Sequence, residues 1–171
     1  MQPIKYILEL EKMQYIFRFQ DDLLSLNDQG YLEQVISSIY PPEMIVNKTN
    51  ISSCKSNFLD LTISIYRGQF LITLYDKRRD YNFEVISFPF LDGNIPKGPT
   101  YGIFISQLVR FAQINSTYKG FITNARDLVC KLTNQHFDVA ALRNKFKVFV
   151  DKYFDIWGKY GIKISEDLIF P

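Results

Sequence analysis

The stretch Phe17-Arg18-Phe19-Gln20-Asp21-Asp22-Leu23-Leu24-Ser25-Leu26 places two adjacent carboxylates between two apolar runs. The aromatic-rich run before the acids predicts a strand over residues 14–19, and residues 23–26 predict a second strand. Gln20-Asp21-Asp22 is the predicted tight turn between the two strands. Because the flanks have the pattern of buried strands, the paired carboxylates require a positive partner, either a divalent cation or a basic group.

Downstream of this hairpin the pattern predicts one helix and three strands. Residues 31–40 carry apolar positions at helical spacing, and Pro41-Pro42 ends the helix. The predicted strands cover residues 44–48, 57–66 and 69–75. Upstream of the hairpin, residues 4–13 are compatible with a strand or a short helix. Arg67-Gly68 links the last two strands and predicts a hairpin turn.

The segment over residues 87–100 is rich in proline and glycine, which predicts a loop and the main internal boundary of the chain. Beyond it the apolar residues recur at helical spacing in three successive stripes, so the pattern predicts three helices. The stripes are Tyr101, Phe104, Leu108 and Phe111, then Phe121, Ala125, Leu128 and Leu132, then Leu142, Phe146, Phe149, Val150 and Tyr153. Asp138 is the predicted N-cap of the third helix.

The composition is that of a globular protein with an uneven charge distribution. The 171 residues are 47% hydrophobic, which is ordinary for a globular protein and argues against a disordered chain. Residues 1–96 hold nine basic and twelve acidic side chains, whereas residues 97–171 hold eleven and six. An acidic half that binds metal and a basic half that meets phosphates suit a nucleic-acid enzyme, although small asymmetries of this kind also occur in unrelated proteins.

Cysteine and histidine content argues against several kinds of site. Cys54 and Cys130 lie far apart in no metal-ligand spacing, which predicts reduced thiols. His136 is the single histidine and has no second His or Cys nearby, so we expect a residue of the surface or of a helix end, and the sequence gives no support for zinc chemistry or Ser-His catalysis. With no signal-peptide pattern and no segment long enough to span a membrane, we expect an intracellular protein of the cytoplasm or nucleus that has no membrane partner.

The Asp-Asp turn and several segments after it resemble a known family. An aromatic residue, any residue and then Asp-Asp on a hairpin tip resembles the metal-binding motif of reverse transcriptases. The longer match is similar to the C-terminal part of retroelement reverse transcriptases, including Penelope-like and related invertebrate elements, and extends to Arg110. Its further segments are Ile39-Tyr40-Pro41, Phe58-Leu59-Asp60-Leu61, Tyr75-Asp76-Lys77-Arg78-Arg79-Asp80-Tyr81-Asn82-Phe83, Phe88-Pro89-Phe90, Asn94-Ile95-Pro96 and Tyr101-Gly102-Ile103-Phe104-Ile105-Ser106-Gln107-Leu108-Val109-Arg110.

The resemblance implies a catalytic metal site at the turn. Asp21 and Asp22 match the family's metal-binding pair, and the implied cofactor of the complete enzyme is Mg²⁺. In the family the acid matched by Asp21 is a direct ligand, whereas the role of the second is less fixed. Phe19 stands where the family usually has Tyr, which keeps the ring and removes its hydroxyl. Gln20 occupies the variable position of the motif.

The resemblance also implies a nucleic-acid contact at the basic segment that follows the strand predicted over residues 69–75. Lys77, Arg78 and Arg79 match a region near the family's primer-holding hairpin, where they would contact phosphates of an RNA template and a DNA primer. The residues alone leave an alternative open. In that alternative the segment is a solvated charged turn, and Asp76 and Asp80 are the partners of its basic side chains.

Four other residues receive structural or open assignments. Asp60 lies in an apolar strand, and we expect it to satisfy backbone or a basic neighbour, since the third essential acid of the resembling families lies well upstream of the pair. Arg110 and Arg126 lie on predicted helices, where they face either a nucleic-acid duplex or ordinary solvent. Trp157 is expected to be a packing residue.

These features predict an α+β fold. The resemblance implies that residues 1–86 are a partial palm with an antiparallel sheet and one helix, that residues 87–100 are a linker loop, and that residues 101–171 are a thumb-like helical bundle. The resemblance implies a piece of an RNA-directed DNA polymerase, a nucleotidyltransferase of a retrotransposon. Because few residues precede Asp21, we expect fingers and the upstream acid to be missing and the chain to be inactive alone. The alternative is a non-catalytic nucleic-acid-binding or relic domain.

Overall fold

The computed structural model describes residues 15–27, 29–83 and 85–170. The chain divides into two compact units, Met1–Leu59 and Asp60–Pro171. The described residues form helices and two small antiparallel sheets, which confirms the predicted α+β class. Within these ranges no helix combines the length and the apolar character that crossing a bilayer requires. The predictions for residues 4–13 lie outside the described residues.

The strands of the described residues form one sheet of two strands and one of three. β1 (Ile16–Phe19) and β2 (Asp22–Ser25) pair in the smaller sheet, β4 (Leu61–Tyr66) and β5 (Gln69–Leu74) pair in the larger one, and β3 (Lys55–Phe58) is the strand of that sheet that precedes Leu59 in the chain. The continuous strand predicted over residues 57–66 is therefore wrong. Leu59 adopts a left-handed conformation, with φ at 55°, which breaks the extended backbone between β3 and β4.

In the first unit the predicted hairpin and helix are both present. The β1–β2 hairpin is followed by α1 (Tyr31–Ile39), which begins after Gly30 in the left-handed conformation and ends before Pro41-Pro42. The strand predicted over residues 44–48 does not form. These residues pair with no strand in the described ranges, and Ile45 is 82% exposed. A run of residues with high β-propensity becomes a strand only where a neighbour accepts its backbone hydrogen bonds.

The expectation that apolar flanks bury the Asp-Asp turn is also wrong. Phe17 and Phe19 on β1 are both about half exposed, and Leu24 is the one buried side chain among the described residues of this unit. A two-stranded sheet buries an apolar side chain only where a further layer packs on that face. The carboxylates of Asp21 and Asp22 consequently do not face a low-dielectric environment in this unit.

In the second unit the β4–β5 hairpin closes as its sequence predicts. Arg67 and Gly68 form a two-residue turn with φ angles of 49° and 76°. Two positive φ angles in succession match the twist of the flanking strands, and glycine at the second position adopts this conformation without steric cost. The register pairs Tyr66 with Gln69 at the tip and Leu61 with Leu74 at the base.

Helices make up most of the rest of this unit. They are α2 (Lys97–Thr100), α3 (Gly102–Ile114), α4 (Tyr118–Asn134), α5 (Val139–Lys152) and α6 (Phe154–Trp157). Side chains cap two of them: Thr117 Oγ1 accepts from the Gly120 N–H at 3.2 Å, and Asp138 Oδ1 accepts from the Ala141 N–H at 2.7 Å. The predicted cap at Asp138 is therefore confirmed. These caps satisfy amide groups that the first helical turn leaves without partners.

The hydrophobic core lies among α3, α4 and α5, and it consists mainly of the predicted stripes. Phe121 stacks on Phe149 with ring centroids 6.0 Å apart, and Phe146 stacks on Phe149 at 6.2 Å. The segment after α6 joins this core through Ile164, Ile169 and Phe170, which are buried. Large aromatic side chains of this kind contribute most of the apolar area that a small helical domain buries.

A buried polar network connects the end of α3 to α4. Asn115 is fully buried, donates from Nδ2 to the Phe111 carbonyl at 2.9 Å, and accepts from Asn124 Nδ2 at 3.2 Å. The Tyr160 hydroxyl donates toward the carbonyls of Ala112 and Asn115 at 3.2 and 3.0 Å. Burial raises the pKa of Tyr160 to about 12, so it remains a neutral donor across the physiological range.

The β4–β5 hairpin packs with the helices, which explains why the chain divides at Leu59. The Ser116 N–H donates to the Ile72 carbonyl at 2.8 Å, and the Ile72 N–H donates to Ser116 Oγ at 2.9 Å. Leu74 packs on the core at the base of the hairpin. The proline- and glycine-rich segment at 87–100 is thus a connection within the second unit, and Leu91 in this segment is buried in the core.

Candidate metal and nucleic-acid sites

Asp21 and Asp22 lie at the tip of the β1–β2 hairpin. Gln20 and Asp21 form its two-residue turn, and Asp22 is the first residue of β2, opposite Phe19. Gln20 adopts a left-handed conformation, with φ at 50°. Both carboxylates are exposed to solvent. The hairpin therefore presents two adjacent hard oxygen groups at an accessible tip.

Arg18 braces this turn from the first strand. Its Nε donates to the Gln20 carbonyl at 3.0 Å, and its guanidinium lies 5.9 Å from the centroid of the Tyr40 ring. The hydrogen bond holds the backbone of the turn, and the cation–π contact attracts the same side chain to the ring of Tyr40, which follows α1. No cation of the described residues forms an ion pair with Asp21 or Asp22.

The donor set of the tip fits part of a magnesium site. Mg²⁺ prefers oxygen ligands, commonly takes one or two carboxylates, and fills its remaining positions with water and substrate phosphates. The described ranges contain no cluster of three or more His, Cys, Asp or Glu side chains placed to hold a metal ion.

The predicted basic segment forms a 3-10 turn over Lys77–Asp80, in the second unit. Asp76 caps this turn and is bound from both sides. Arg78 binds it in a bidentate manner, with Nε 2.7 Å from Oδ1 and Nη2 3.0 Å from Oδ2, and Lys131 Nζ lies 3.5 Å from Oδ2. The Asp76 side chain is only 10% exposed. Paired N–H donors of this geometry make a stronger contact than a single charged hydrogen bond.

The neighbours of Asp76 favour its ionised form and lower its pKa. Hydrogen bonding from the Arg78 side chain is the main cause that lowers the pKa of Asp76 from 3.8 to about 2, and partial burial opposes it. The Arg78 backbone N–H and the charge of Lys131 lower the pKa further. Arg78 is thus occupied in holding the turn.

Arg79 and Lys77 differ from Arg78 in how they are paired. Arg79 Nη2 donates to Asp127 Oδ2 on α4 at 2.7 Å, and the two side chains are 48% and 45% exposed. Lys77 forms no ion pair with an acid of the described residues. Asp80 accepts a hydrogen bond from the Tyr75 hydroxyl. Of the two acids named as alternative partners, Asp76 binds a cation and Asp80 binds a phenol.

The other singled-out residues have identifiable contacts. Asp60 forms an ion pair with Arg110, as expected for an acid that meets a basic neighbour. Arg126 donates to the Leu168 carbonyl, so it anchors the segment after α6. Trp157 is buried and donates to the Val150 carbonyl at 3.0 Å, which confirms its packing role. His136 pairs with Asp92 at 2.7 Å.

Asp127 and Lys131 are the residues of the basic site that the sequence pattern did not identify. They lie one helical turn apart on α4, and both reach the 3-10 turn. An acid followed by a base at this spacing is common on solvated helix faces, so the pattern alone points to no partner. Asp127 lies 48 residues after its partner Arg79 in the sequence, and Lys131 lies 55 residues after its partner Asp76. Only the folded chain brings these residues together.

Comparisons with known proteins give no family for this chain: no family model, no curated protein and no solved structure matches it at a significant level.

Proposed function

We propose that this chain contributes the Asp-Asp hairpin, the adjoining palm strands and the thumb of an RNA-directed DNA polymerase of a retroelement. The observation that carries the proposal is the exposed pair Asp21 and Asp22 on the two-residue turn of an antiparallel hairpin, directly after an aromatic residue and a variable one. The order of elements after it supports the same proposal. A helix, a hairpin, a basic turn and a helical bundle follow along the chain.

In this proposal Asp21 and Asp22 hold a divalent cation together with water and substrate phosphates. Mg²⁺ bound at such a site supplies charge neutralisation of the triphosphate and activation of the primer 3′-hydroxyl. The chain's own residues fix the geometry. The Arg18 side chain holds the Gln20 carbonyl and thereby the turn that carries Asp21. Phe19, opposite Asp22, offers a ring without a hydroxyl beside the acids.

The basic turn of the second unit would hold nucleic acid by its phosphates. Residues 60–171 carry fifteen basic and eleven acidic side chains, whereas residues 1–59 carry five and seven. Contacts of Lys and Arg with phosphates are sequence-independent and sensitive to salt. These properties support binding of a primer–template duplex by the unit that contains Lys77, Arg78 and Arg79.

A metal titration of the full chain tests the proposal at its central residues. Mn²⁺ replaces Mg²⁺ at oxygen sites and broadens nearby amide signals in an NMR spectrum. We expect selective broadening of residues 20–23 and its loss in the double variant Asp21→Asn, Asp22→Asn. The control is Asp151→Asn, Asp155→Asn, which removes two exposed carboxylates from α5 and α6 and should leave that broadening unchanged.

Binding of a DNA primer on an RNA template gives the second measurement. We expect fluorescence anisotropy to show binding that weakens with salt, and Mg²⁺ to strengthen it in the wild-type chain only. Primer extension by the chain alone is expected to be absent, because two-metal transfer needs more ligands than this pair. Undiminished Mn²⁺ broadening in the Asp21→Asn, Asp22→Asn variant contradicts the polymerase proposal.

A second candidate function is a non-catalytic nucleic-acid-binding domain. The excess of basic residues in the second unit, together with that unit's own core, favours it. The same two measurements separate the candidates. Hybrid binding that is indifferent to Mg²⁺ and to the acids at the hairpin tip supports the binding domain.

A further inference from the structure

The cations of the basic turn are held by acids in two different ways. Asp76 is largely buried, receives two donors from Arg78, and has Lys131 beside it. Asp127 is about half exposed and receives one donor from Arg79. A bidentate, partly desolvated pair holds its geometry far more firmly than an exposed pair with one hydrogen bond.

We propose that the Arg79–Asp127 ion pair is an internal competitor of phosphate: Asp127 occupies the cation that a phosphodiester backbone would bind, and must be displaced when nucleic acid binds. This inference rests on the proposed function and assigns different roles to the three predicted cations. Arg79 exchanges an internal carboxylate for a phosphate. Arg78 stays with Asp76 and positions the turn.

The geometry makes the exchange possible without unfolding the turn. Arg79 extends from the 3-10 turn to α4, and its backbone N–H donates to the Asp76 carbonyl at 2.9 Å, a hydrogen bond that does not involve the side chain. Release of Asp127 leaves a solvated carboxylate on a helix surface, which carries little desolvation cost. Release of Asp76 would instead strand a carboxylate that is 10% exposed.

A phosphate oxygen is a suitable replacement for the Asp127 carboxylate. Both accept charge-assisted hydrogen bonds from guanidinium, and a duplex adds neighbouring phosphates that Lys77 can reach from the same turn. Binding therefore exchanges one internal contact for several external ones. The pair also disfavours single small anions, because one phosphate gains little over the carboxylate that it displaces.

Binding of a fluorescent DNA–RNA hybrid at low salt tests the inference. Asp127→Asn should tighten the Kd by about threefold, the order of the free energy of one exposed ion pair. Asp151→Asn is the matched control, since it makes the same change in net charge at an exposed site that pairs with no cation of the described residues. An equal gain in both variants means that net charge alone acts and overturns the inference.

A double-mutant cycle identifies the cation involved. Arg79→Gln should weaken binding and lower the slope of log K against log salt by about one. In Arg79→Gln, Asp127→Asn the gain from Asp127→Asn should disappear. A gain that persists without Arg79 contradicts the inference. Melting temperatures of all variants should stay within a few degrees of that of the wild type, since the substituted side chains are about half exposed and such ion pairs contribute little to stability.

Two further outcomes keep this inference distinct from the proposed function. Absence of hybrid binding in every variant overturns the competitor role, whereas the Mn²⁺ titration at Asp21 and Asp22 still reports on the polymerase site. Poly-glutamate that binds as well as the hybrid contradicts a phosphodiester partner and indicates an acidic protein segment. We expect poly-glutamate to compete weakly.

Discussion

The two units of this chain use their apolar residues in opposite ways. In the second unit, aromatic residues of α3, α4 and α5 pack on one another and are almost fully buried. Among the described residues of the first unit, Leu24 alone is buried, and aromatic residues of β1 stay half exposed. The bundle therefore has a core within its own residues. The hairpin with the Asp-Asp turn depends on local backbone bonds and turn geometry.

The sharpest way to break this comparison is a pair of Phe→Ala substitutions. Phe149→Ala removes a fully buried ring and should lower the free energy of unfolding by about 3–5 kcal/mol. Phe17→Ala removes a half-exposed ring and should cost less than about 1 kcal/mol. Urea unfolding followed by far-UV circular dichroism covers both units, and the fluorescence of Trp157, the single tryptophan, follows the second unit. Similar losses would contradict the difference in burial between the two rings.

A pair of glycines tests how tightly the bundle is packed. A Cβ on Gly120 would lie 2.6 Å from Asn115 Oδ1, and buried hydrogen bonds hold that side chain in place. Gly120→Ala should therefore destabilise the protein by about 1–3 kcal/mol. Gly102→Ala meets no atom within 4 Å and should be neutral or stabilising by less than about 1 kcal/mol. If Gly120→Ala leaves stability unchanged, the Asn115 side chain must be able to move away from the added methyl group. Thermal denaturation measures both.

The pH dependence of stability tests the firm half of the basic turn. Because the pKa of Asp76 is lowered from 3.8 to about 2 in the folded protein, its ionised form stabilises the fold above pH about 4. That stabilisation, about 2 kcal/mol, is lost as the pH falls from about 4 to about 2. Asp76→Asn should remove this contribution at neutral pH and flatten the acid limb of the unfolding profile. Asp151→Asn should retain the wild-type profile, and an unchanged limb in Asp76→Asn would refute the assignment.

The smallest expected effect concerns the hairpin tip. Asp21→Asn, Asp22→Asn changes two exposed carboxylates that form no ion pair in the described residues, so stability should stay within about 0.5 kcal/mol of the wild type. Differential scanning calorimetry measures the change. A large gain would indicate that repulsion between the acids strains the turn. A large loss would indicate a structural role for the pair.

Local signals predicted much of the secondary structure. Helical spacing of apolar residues predicted the stripes of α3, α4 and α5, and Asp138 was recognised as a cap from its position before a stripe. The turn at Arg67-Gly68 followed from glycine between two apolar runs. The strand prediction for residues 44–48 was wrong because β-propensity contains no information about a pairing partner. The prediction that the strands beside the Asp-Asp turn are buried was wrong because burial depends on a second layer of secondary structure that packs on the sheet.

The candidate sites divide in the same way. The Asp-Asp turn was predicted as a local unit, and the structure contains it as a hairpin tip. Binding of metal there and of nucleic acid at the basic turn stay predictions. The partners of the basic residues could not be predicted, because Asp127 and Lys131 lie on a helix some fifty residues away.

By itself the sequence determined the α+β class, the Asp-Asp hairpin and the helical stripes, because these depend on φ/ψ preferences and on periodicity within a few residues. Only the tertiary structure decided which charges meet. It gave Arg78 a buried partner and Arg79 an exposed one, and it joined the β4–β5 hairpin to the helices through Ile72 and Ser116. The reason is physical: desolvation and ion pairing depend on distances that arise only when remote segments pack together.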